Sequence, residues 1–257
     1  FNYVELREEL LALGHAFKTK SDTEVIVHAW EAWGEAAFPR MNGQWAIALW
    51  DSRRERLVLS RDRVGVRPLH FAAHDGRLLF ASEVKALFAG EPSLPRVFDP
   101  LGLDETFTFW SVVPPRTVFR GVQELEPGHT RIWERGELVS DRAYWTPTYP
   151  RGEAGRFRGS LEDASRALTA ALEQATALRM VRADVPVGSY LSGGLDSSVV
   201  AALAARAKPE GFETFSLRFA DAECDETPNQ QAIVERLRTR HHELVVTRGR
   251  IAEALPT

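Results

Sequence analysis

Val185-Pro-Val-Gly-Ser-Tyr-Leu191 runs directly into Ser192-Gly-Gly-Leu-Asp-Ser-Ser198, and Val199-Val-Ala-Ala-Leu203 follows. The first segment predicts a buried strand, the second a glycine-rich turn and the third a helix. Gly193 and Gly194 can adopt backbone conformations that other residues disfavour, and they let the main chain approach a ligand closely. Free N–H groups at the start of the helix, with the serine hydroxyls of the turn, predict a cradle for phosphate oxygens.

The unusual residue of this turn is Asp196, because a carboxylate within an anion cradle would repel a bare phosphate. Its natural partner is Mg²⁺ that bridges to phosphate oxygens. The turn lacks the Gly-Lys-Ser/Thr ending of a Walker A loop, which makes ATP hydrolysis or kinase chemistry the weaker interpretation. The alternative for the whole segment is a tight strand-to-helix turn that binds no ligand.

The sequence around the turn alternates between strand and helix patterns. Strands are predicted at 187–191, 214–219 and 243–246, with helices at 161–181, 197–206 and 229–238. Strand and helix alternating at this spacing predict an α/β fold with a doubly wound parallel sheet.

The first part of the chain has a different texture. Helices are predicted at 3–13 and 22–33, the second capped by Ser21 or Asp22, and short β-rich runs follow at 45–50, 57–60, 68–71 and 78–81. These features predict an α+β domain with an antiparallel sheet. Segment 147–160, rich in Pro, Gly and Arg, is the predicted linker, so the domains are expected at 1–146 and 161–257.

Composition limits the classes of function. The 257 residues are 44% apolar and 26% charged, as in a soluble globular protein, and the net charge of −4 gives no general attraction to nucleic acid or anionic membranes. No signal-peptide or membrane-spanning pattern is present, so a cytoplasmic location is expected. The single cysteine, Cys224, excludes an intrachain disulfide. The chain begins without methionine, and we expect both ends to be cut.

The phosphate turn resembles the pyrophosphate-binding loop (PP-loop) of the N-type ATP pyrophosphatases, and its flanks are similar to the asparagine synthetase branch. The resemblance implies an adenine nucleotide alpha hydrolase-like fold, ATP and Mg²⁺ as cofactors, and adenylation of a carboxylate followed by attack of ammonia. It implies the following ATP and pyrophosphate contacts, with Asp196 also holding Mg²⁺: Leu191, Ser192, Gly193, Gly194, Asp196, Ser197, Ser198 and Leu217. For Leu217, ordinary core packing is the alternative. The acidic residues Asp221, Glu223, Asp225 and Glu226 suggest a solvated loop that in the family helps to cover the nucleotide.

Several strings of the first part, among them Asn42-Gly-Gln-Trp-Ala-Ile-Ala-Leu-Trp-Asp51 and Arg61-Asp-Arg-Val-Gly-Val-Arg-Pro-Leu69, resemble the glutaminase domain of the same family. The resemblance implies an Ntn-hydrolase-like, type-2 glutamine amidotransferase domain in which Asp22 binds the α-amino group of glutamine. The alternative for Asp22 is a plain helix N-cap. The family's N-terminal cysteine, its arginine and its Asn-Gly pair have no counterpart here, so none of these residues is expected to be catalytic for glutamine hydrolysis.

The resemblance implies a glutamine-hydrolysing asparagine synthase, a ligase of asparagine biosynthesis. Such an enzyme amidates aspartate through β-aspartyl-AMP with glutamine-derived ammonia, and releases AMP and pyrophosphate. Its partners are glutamine, aspartate and ATP, without nucleic acid or membrane, and a homodimer is the working hypothesis for assembly. The 257 residues alone are expected to be inactive. A β-lactam synthetase-like or peptide-modifying cyclase on the same scaffold, and a non-catalytic binding module, are the alternatives.

Overall fold

The computed structural model describes residues 1–149, 151–152, 155–183, 185–208, 211–219 and 226–254. The chain divides into two compact units, Phe1–Tyr149 and Pro150–Thr257, and the division falls inside the segment predicted as a linker. Both units combine helices and strands. Among the described residues, no helix is both long enough and apolar enough to cross a membrane.

The helices of the first unit are short. They comprise α1 (Tyr3–Ala12), α2 (Asp22–Trp33), α3 (Ala37–Arg40), α4 (Val84–Gly90) and α5 (Pro100–Phe109), with a 3₁₀ turn at Gly34–Ala36 before α3. Ser21 caps α2, since its hydroxyl accepts a hydrogen bond from the N–H of Thr23 at 3.2 Å. The sequence therefore located both α1 and α2 to within one residue.

Two antiparallel sheets make up the rest of the first unit. One has the order β1-β2-β6-β7 and contains β1 (Ala46–Asp51), β2 (Arg56–Arg61), β6 (His129–Glu134) and β7 (Glu137–Ala143). The other has the order β4-β3-β5 and contains β3 (His70–His74), β4 (Arg77–Ala81) and β5 (Val122–Glu124). The predicted antiparallel pairing is confirmed. The strand predicted at 68–71 was placed two residues too early, because Pro68 has no N–H to donate to a ladder.

A hydrophobic core joins the first two helices to the first sheet. Leu10 of α1, Val25 of α2 and Val58 of β2 are fully buried in it. The loop after β2 is held by Arg61, which is 5% exposed and whose guanidinium donates to the carbonyls of Leu125 and Arg67 at 2.7 and 2.9 Å. Further contacts of the guanidinium with the carbonyl of Gly65 and the carboxylate of Glu124 give Arg61 a structural role in this loop.

The second unit contains a parallel sheet. Its elements are α6 (Leu161–Val181), β8 (Gly188–Tyr190), α7 (Leu195–Ala207), β9 (Glu213–Phe219), α8 (Thr227–Leu237), β10 (Arg240–Val246) and α9 (Arg248–Ala254). Within the described residues the strands pair in the order β10-β9-β8, and both pairs are parallel, as predicted. Helix α7 begins at Leu195, two residues earlier than predicted, which places Asp196 in its first turn. The doubly wound arrangement stays a prediction.

Candidate functional site

The predicted phosphate turn connects β8 to α7 and depends on Gly193. The φ angle of Gly193 is +89°, a conformation that side chains with a Cβ disfavour. A Cβ at this position would also lie 3.1 Å from the Cβ of Asn229 and 3.2 Å from the Cγ of Gln230. The backbone conformation therefore favours glycine, and an added Cβ would also require the neighbouring side chains of α8 to shift.

The start of α7 is formed by glycine and serine. Gly194 is the N-cap, and no side chain of the described residues makes a capping hydrogen bond there. The hydroxyls of Ser197 and Ser198 donate to the carbonyl of Gly194 at 3.1 and 2.7 Å, and the Ser192 and Ser197 hydroxyl oxygens lie 2.9 Å apart. The hydroxyls thus shape the turn, while the first N–H groups of the helix keep the capacity to bind an anion.

Leu191 fixes the beginning of the turn to β9. Its N–H donates to the carbonyl of Phe215 at 2.8 Å, its carbonyl accepts from the Ser216 hydroxyl at 2.5 Å, and its side chain is 1% exposed. The backbone of Leu191, one of the ATP contacts that the resemblance implies, is therefore already engaged with β9, and its carbonyl retains one lone pair for a ligand.

Gln230 of α8 is a residue that the sequence did not single out. It is 3% exposed, and its Nε2 donates to the carbonyls of Ser192 and Leu217, each at 3.2 Å. Its Oε1 is buried and has no hydrogen-bond partner among the described residues. One amide thus joins the phosphate turn to β9. The sequence gives no signal that distinguishes Gln230 from the adjacent Gln231.

The remaining predicted residues of this site are exposed. Asp196 is exposed in the first turn of α7, and Leu217 is 48% exposed on β9, so Leu217 does not occupy a core position in the second unit. Of the acidic loop, only Glu226 is described, and its carbonyl accepts the N–H groups of Asn229 and Gln230. Asp221, Glu223 and Asp225, together with Cys224, lie outside the described residues.

Asp22 lies in the first unit, at the first position of α2. It is exposed, and because Ser21 is the N-cap, the alternative that Asp22 itself caps the helix is wrong. Its neighbour Glu24 instead turns back to the preceding loop, where its carboxylate accepts the N–H groups of Lys18 and Thr19, each at 2.7 Å. A hydrogen bond from the Thr19 hydroxyl, followed by these N–H groups, lowers the pKa of Glu24 from 4.5 to about 2. The Asp22 carboxylate therefore remains available to a cationic ligand.

Two family models match the chain. Residues 1–145 match one described as a glutamine amidotransferase domain, and residues 167–257 match one described as asparagine synthase.

Curated relatives carry related names. The glutamine-hydrolyzing asparagine synthetase 3 of Bacillus subtilis is 32% identical over 270 residues, which cover 99% of this chain and 43% of that protein. A putative glutamine-hydrolyzing asparagine synthetase of Mycobacterium tuberculosis is 34% identical over 272 residues, covering 100% of this chain and 39% of the relative. Amidase chry2 of Gibberella zeae is 31% identical, covering 76% of this chain and 28% of the amidase. The chain spans about two fifths of the length of the two synthetases.

Proposed function

Because the chain belongs to the family in which a glutamine amidotransferase domain precedes an asparagine synthase domain, we propose that the whole protein is a glutamine-dependent carbon–nitrogen ligase. Aspartate is the proposed acceptor, ATP the energy source and glutamine the nitrogen donor. The names of the synthetase relatives support this assignment.

The observation that carries the proposal is the turn between β8 and α7. An N-terminus with glycine at the cap, a residue at φ +89° and neighbouring hydroxyls of Ser192 and Ser197 are suited to a polyphosphate. The turn contains no lysine to serve the terminal phosphates, which favours pyrophosphate release over transfer of the γ-phosphoryl group.

In the proposed reaction, a carboxylate oxygen of aspartate attacks the α-phosphorus of ATP, and the bond to the pyrophosphate oxygen breaks. Ammonia from glutamine then attacks the acyl carbon of β-aspartyl-AMP, AMP leaves with the electron pair of the broken C–O bond, and the nitrogen loses a proton. The turn binds the pyrophosphate part and orients the α-phosphorus toward the acceptor.

The residues of the turn fit a magnesium ion. Asp196 supplies an exposed carboxylate in the first turn of α7, and carboxylate oxygen is the ligand that Mg²⁺ prefers. Mg²⁺ bound by Asp196 and the pyrophosphate oxygens would neutralise charge on the leaving group.

We propose that Asp22 binds the ammonium group of glutamine in the first unit. The carboxylate is exposed in the first turn of a helix that another residue caps, so capping does not occupy it. The charge pair would position glutamine without taking part in bond cleavage.

The products formed by the full-length protein test the proposal. With ATP, Mg²⁺, aspartate and ammonium, we expect AMP, pyrophosphate and asparagine in equal amounts, measured by chromatography and a pyrophosphate assay. Formation of ADP and inorganic phosphate would instead indicate phosphoryl transfer to water or a kinase acceptor, and would overturn the proposal.

A second candidate keeps the reaction and changes the acceptor. The amidase relative favours it, because its printed name does not specify asparagine synthesis. The same pyrophosphate assay, run with other carboxylic acids in place of aspartate, separates the two candidates: release that requires aspartate supports the first, and release that requires another carboxylate supports the second.

A further inference from the structure

Three side chains of the first unit converge at a point that the proposed ligase reaction does not use. His15 lies in the loop between α1 and α2, while His28 and Glu31, three residues apart, lie on one face of α2. The Nδ1 atoms of the two histidines are 3.2 Å apart, and Oε2 of Glu31 lies 2.9 Å from Nδ1 of His28 and 3.7 Å from Nδ1 of His15. Two imidazoles and a carboxylate thus present one donor atom each to a common point.

The size of this triangle matches a metal ion. Sides of 3.2, 2.9 and 3.7 Å define a circle of about 1.9 Å radius, so an ion slightly out of the plane would lie about 2.0–2.1 Å from each atom, as in zinc sites. Without an ion, Nδ1 of His28 faces two acceptors, the Glu31 carboxylate and Nδ1 of His15, and can offer them only one proton. An ion uses the lone pairs of all three atoms at once.

Neighbouring groups hold the His28 ring. The ring of Phe17 meets the ring of His28 edge-on with centroids 4.6 Å apart, and the guanidinium of Arg7 covers the Phe17 ring at 4.2 Å. On the far side of the His28 ring, Oε1 of Glu24 lies 3.8 Å from Nε2. A carboxylate near the second nitrogen of a metal-bound histidine is a common outer contact, because it favours the tautomer whose other nitrogen binds the ion.

The burial of the three residues allows an ion to enter. The side chains of His15 and His28 are 20% and 18% exposed, and Glu31 is 50% exposed at the rim. An ion held here has an inner side formed by the rings and an outer side open to water, which can supply the fourth ligand of a tetrahedral site.

We propose that His15, His28 and Glu31 form a binding site for a divalent transition metal ion, Zn²⁺ by preference, which fastens the α1–α2 loop to α2. Imidazole nitrogen with one carboxylate favours Zn²⁺ over Mg²⁺, which selects oxygen ligands. These three residues belong to the first unit, and Asp196 belongs to the second. The loop it fastens ends at Ser21, so the ion stabilises the approach to α2.

Calorimetry on the full chain without a histidine tag tests the proposal. After treatment with EDTA and buffer exchange, titration with ZnCl₂ should show one ion per chain. At zinc 100-fold above Kd, the melting temperature of the first unit should rise by about 5 °C or more. Replacing zinc with Co²⁺ should give the visible absorption bands of a tetrahedral ion bound by nitrogen and oxygen.

Substitutions locate the ion. His15→Gln should weaken zinc binding at least about tenfold. Loss of an outer contact of a metal site already weakens binding by about that factor, and loss of a direct ligand should weaken it more. His74→Gln is the matched control, because the His74 side chain is also 18% exposed and its Nε2 contacts Ser93 and Asp75 at 3.0 and 3.5 Å. If His15→Gln does not fold, Glu31→Gln on the surface of α2 replaces it as the variant that removes a ligand.

Three outcomes would overturn the proposal. They are absence of stoichiometric zinc binding by the unmodified chain, unchanged binding by folded His15→Gln or Glu31→Gln, and equal weakening by His74→Gln. Because none of these measurements depends on ATP, aspartate or glutamine, their failure would leave the proposed ligase function untouched.

Discussion

Two helix N-termini in this chain differ in how their first N–H groups are used. At α2, Ser21 caps the helix through its side chain, and Glu24 binds the N–H groups of the loop before it. At α7, the cap is Gly194, and no side chain among the described residues occupies that position. At α2 a side chain thus satisfies the N–H of Thr23, while α7 has no such side chain in the described part of the chain and its first N–H groups can bind a ligand. The glycine cap at α7 therefore agrees with the proposed anion site.

The largest expected effect follows from removing the charge at the open N-terminus. In the full-length protein, Asp196→Asn preserves the shape of the turn but removes the carboxylate proposed to hold Mg²⁺ on pyrophosphate. Synthetase turnover should fall by about 10²-fold or more, comparable to the loss of one preorganised electrostatic contact. Pyrophosphate release with ammonium as nitrogen source measures the effect.

The control for Asp196→Asn is glutamine hydrolysis without aspartate, which should keep its rate. Circular dichroism establishes that the variant is folded. If folded Asp196→Asn releases pyrophosphate at the unmodified rate, the carboxylate has no part in binding the metal.

The two glycines of the turn should differ from each other. Gly193→Ala forces a Cβ into a left-handed conformation and against Asn229 and Gln230, so the second unit should lose about 2 kcal/mol of unfolding free energy. Gly194 has room, because the nearest atom to an added Cβ is the Ser192 hydroxyl oxygen at 3.5 Å. Gly194→Ala should therefore cost about 0.5–1 kcal/mol, the effect of a poorer cap. Urea denaturation of both variants makes the comparison, and equal losses would contradict it.

At α2, the capping role should belong to Ser21 and the glutamine contact to its neighbour Asp22. In the full-length protein, Asp22→Asn should lower glutamine-supported synthesis about tenfold, as expected for loss of one charged hydrogen bond, and leave ammonia-supported synthesis nearly unchanged. Ser21→Ala should cost about 1 kcal/mol of stability and leave the ratio of the two activities as it was. If Asp22→Asn lowers both activities equally, its role is in folding.

The smallest expected effect is on the pH dependence of the melting temperature. Hydrogen bonds lower the pKa of Glu24 from 4.5 to about 2, so its stabilising contribution is complete above about pH 4.5 and is lost as the pH falls toward 2. The melting temperature of Glu24→Gln should lie below that of the unmodified chain at pH 6, and the two should converge near pH 2. Glu8→Gln, on the exposed surface of α1, controls for loss of one negative charge. A difference that does not change with pH would exclude this linkage.

The sequence predicted those parts of the molecule whose causes are local. Ser21 and Glu24 stand at the spacing of a helix start, and the glycine pair marks the turn before α7, so both N-termini were located closely. The contacts of Glu24 were not foreseen, because the loop folds back onto it. Strand β5, three residues long, is too short for a periodic signal. Gln230 was missed because its role depends on the packing of α8 over β9, and pairing His15 with His28 requires the chain to reverse between two helices.

Gln230 has a further consequence for motion. A single amide group donates to the carbonyls of Ser192 and Leu217, so turning one side chain would break its contacts with the turn and with the strand together. Its oxygen accepts no hydrogen bond among the described residues, so only the two bonds donated by Nε2 hold the amide in place. The segment 191–194 should therefore open cooperatively rather than one residue at a time. In amide hydrogen exchange, its backbone N–H groups should share a single opening equilibrium.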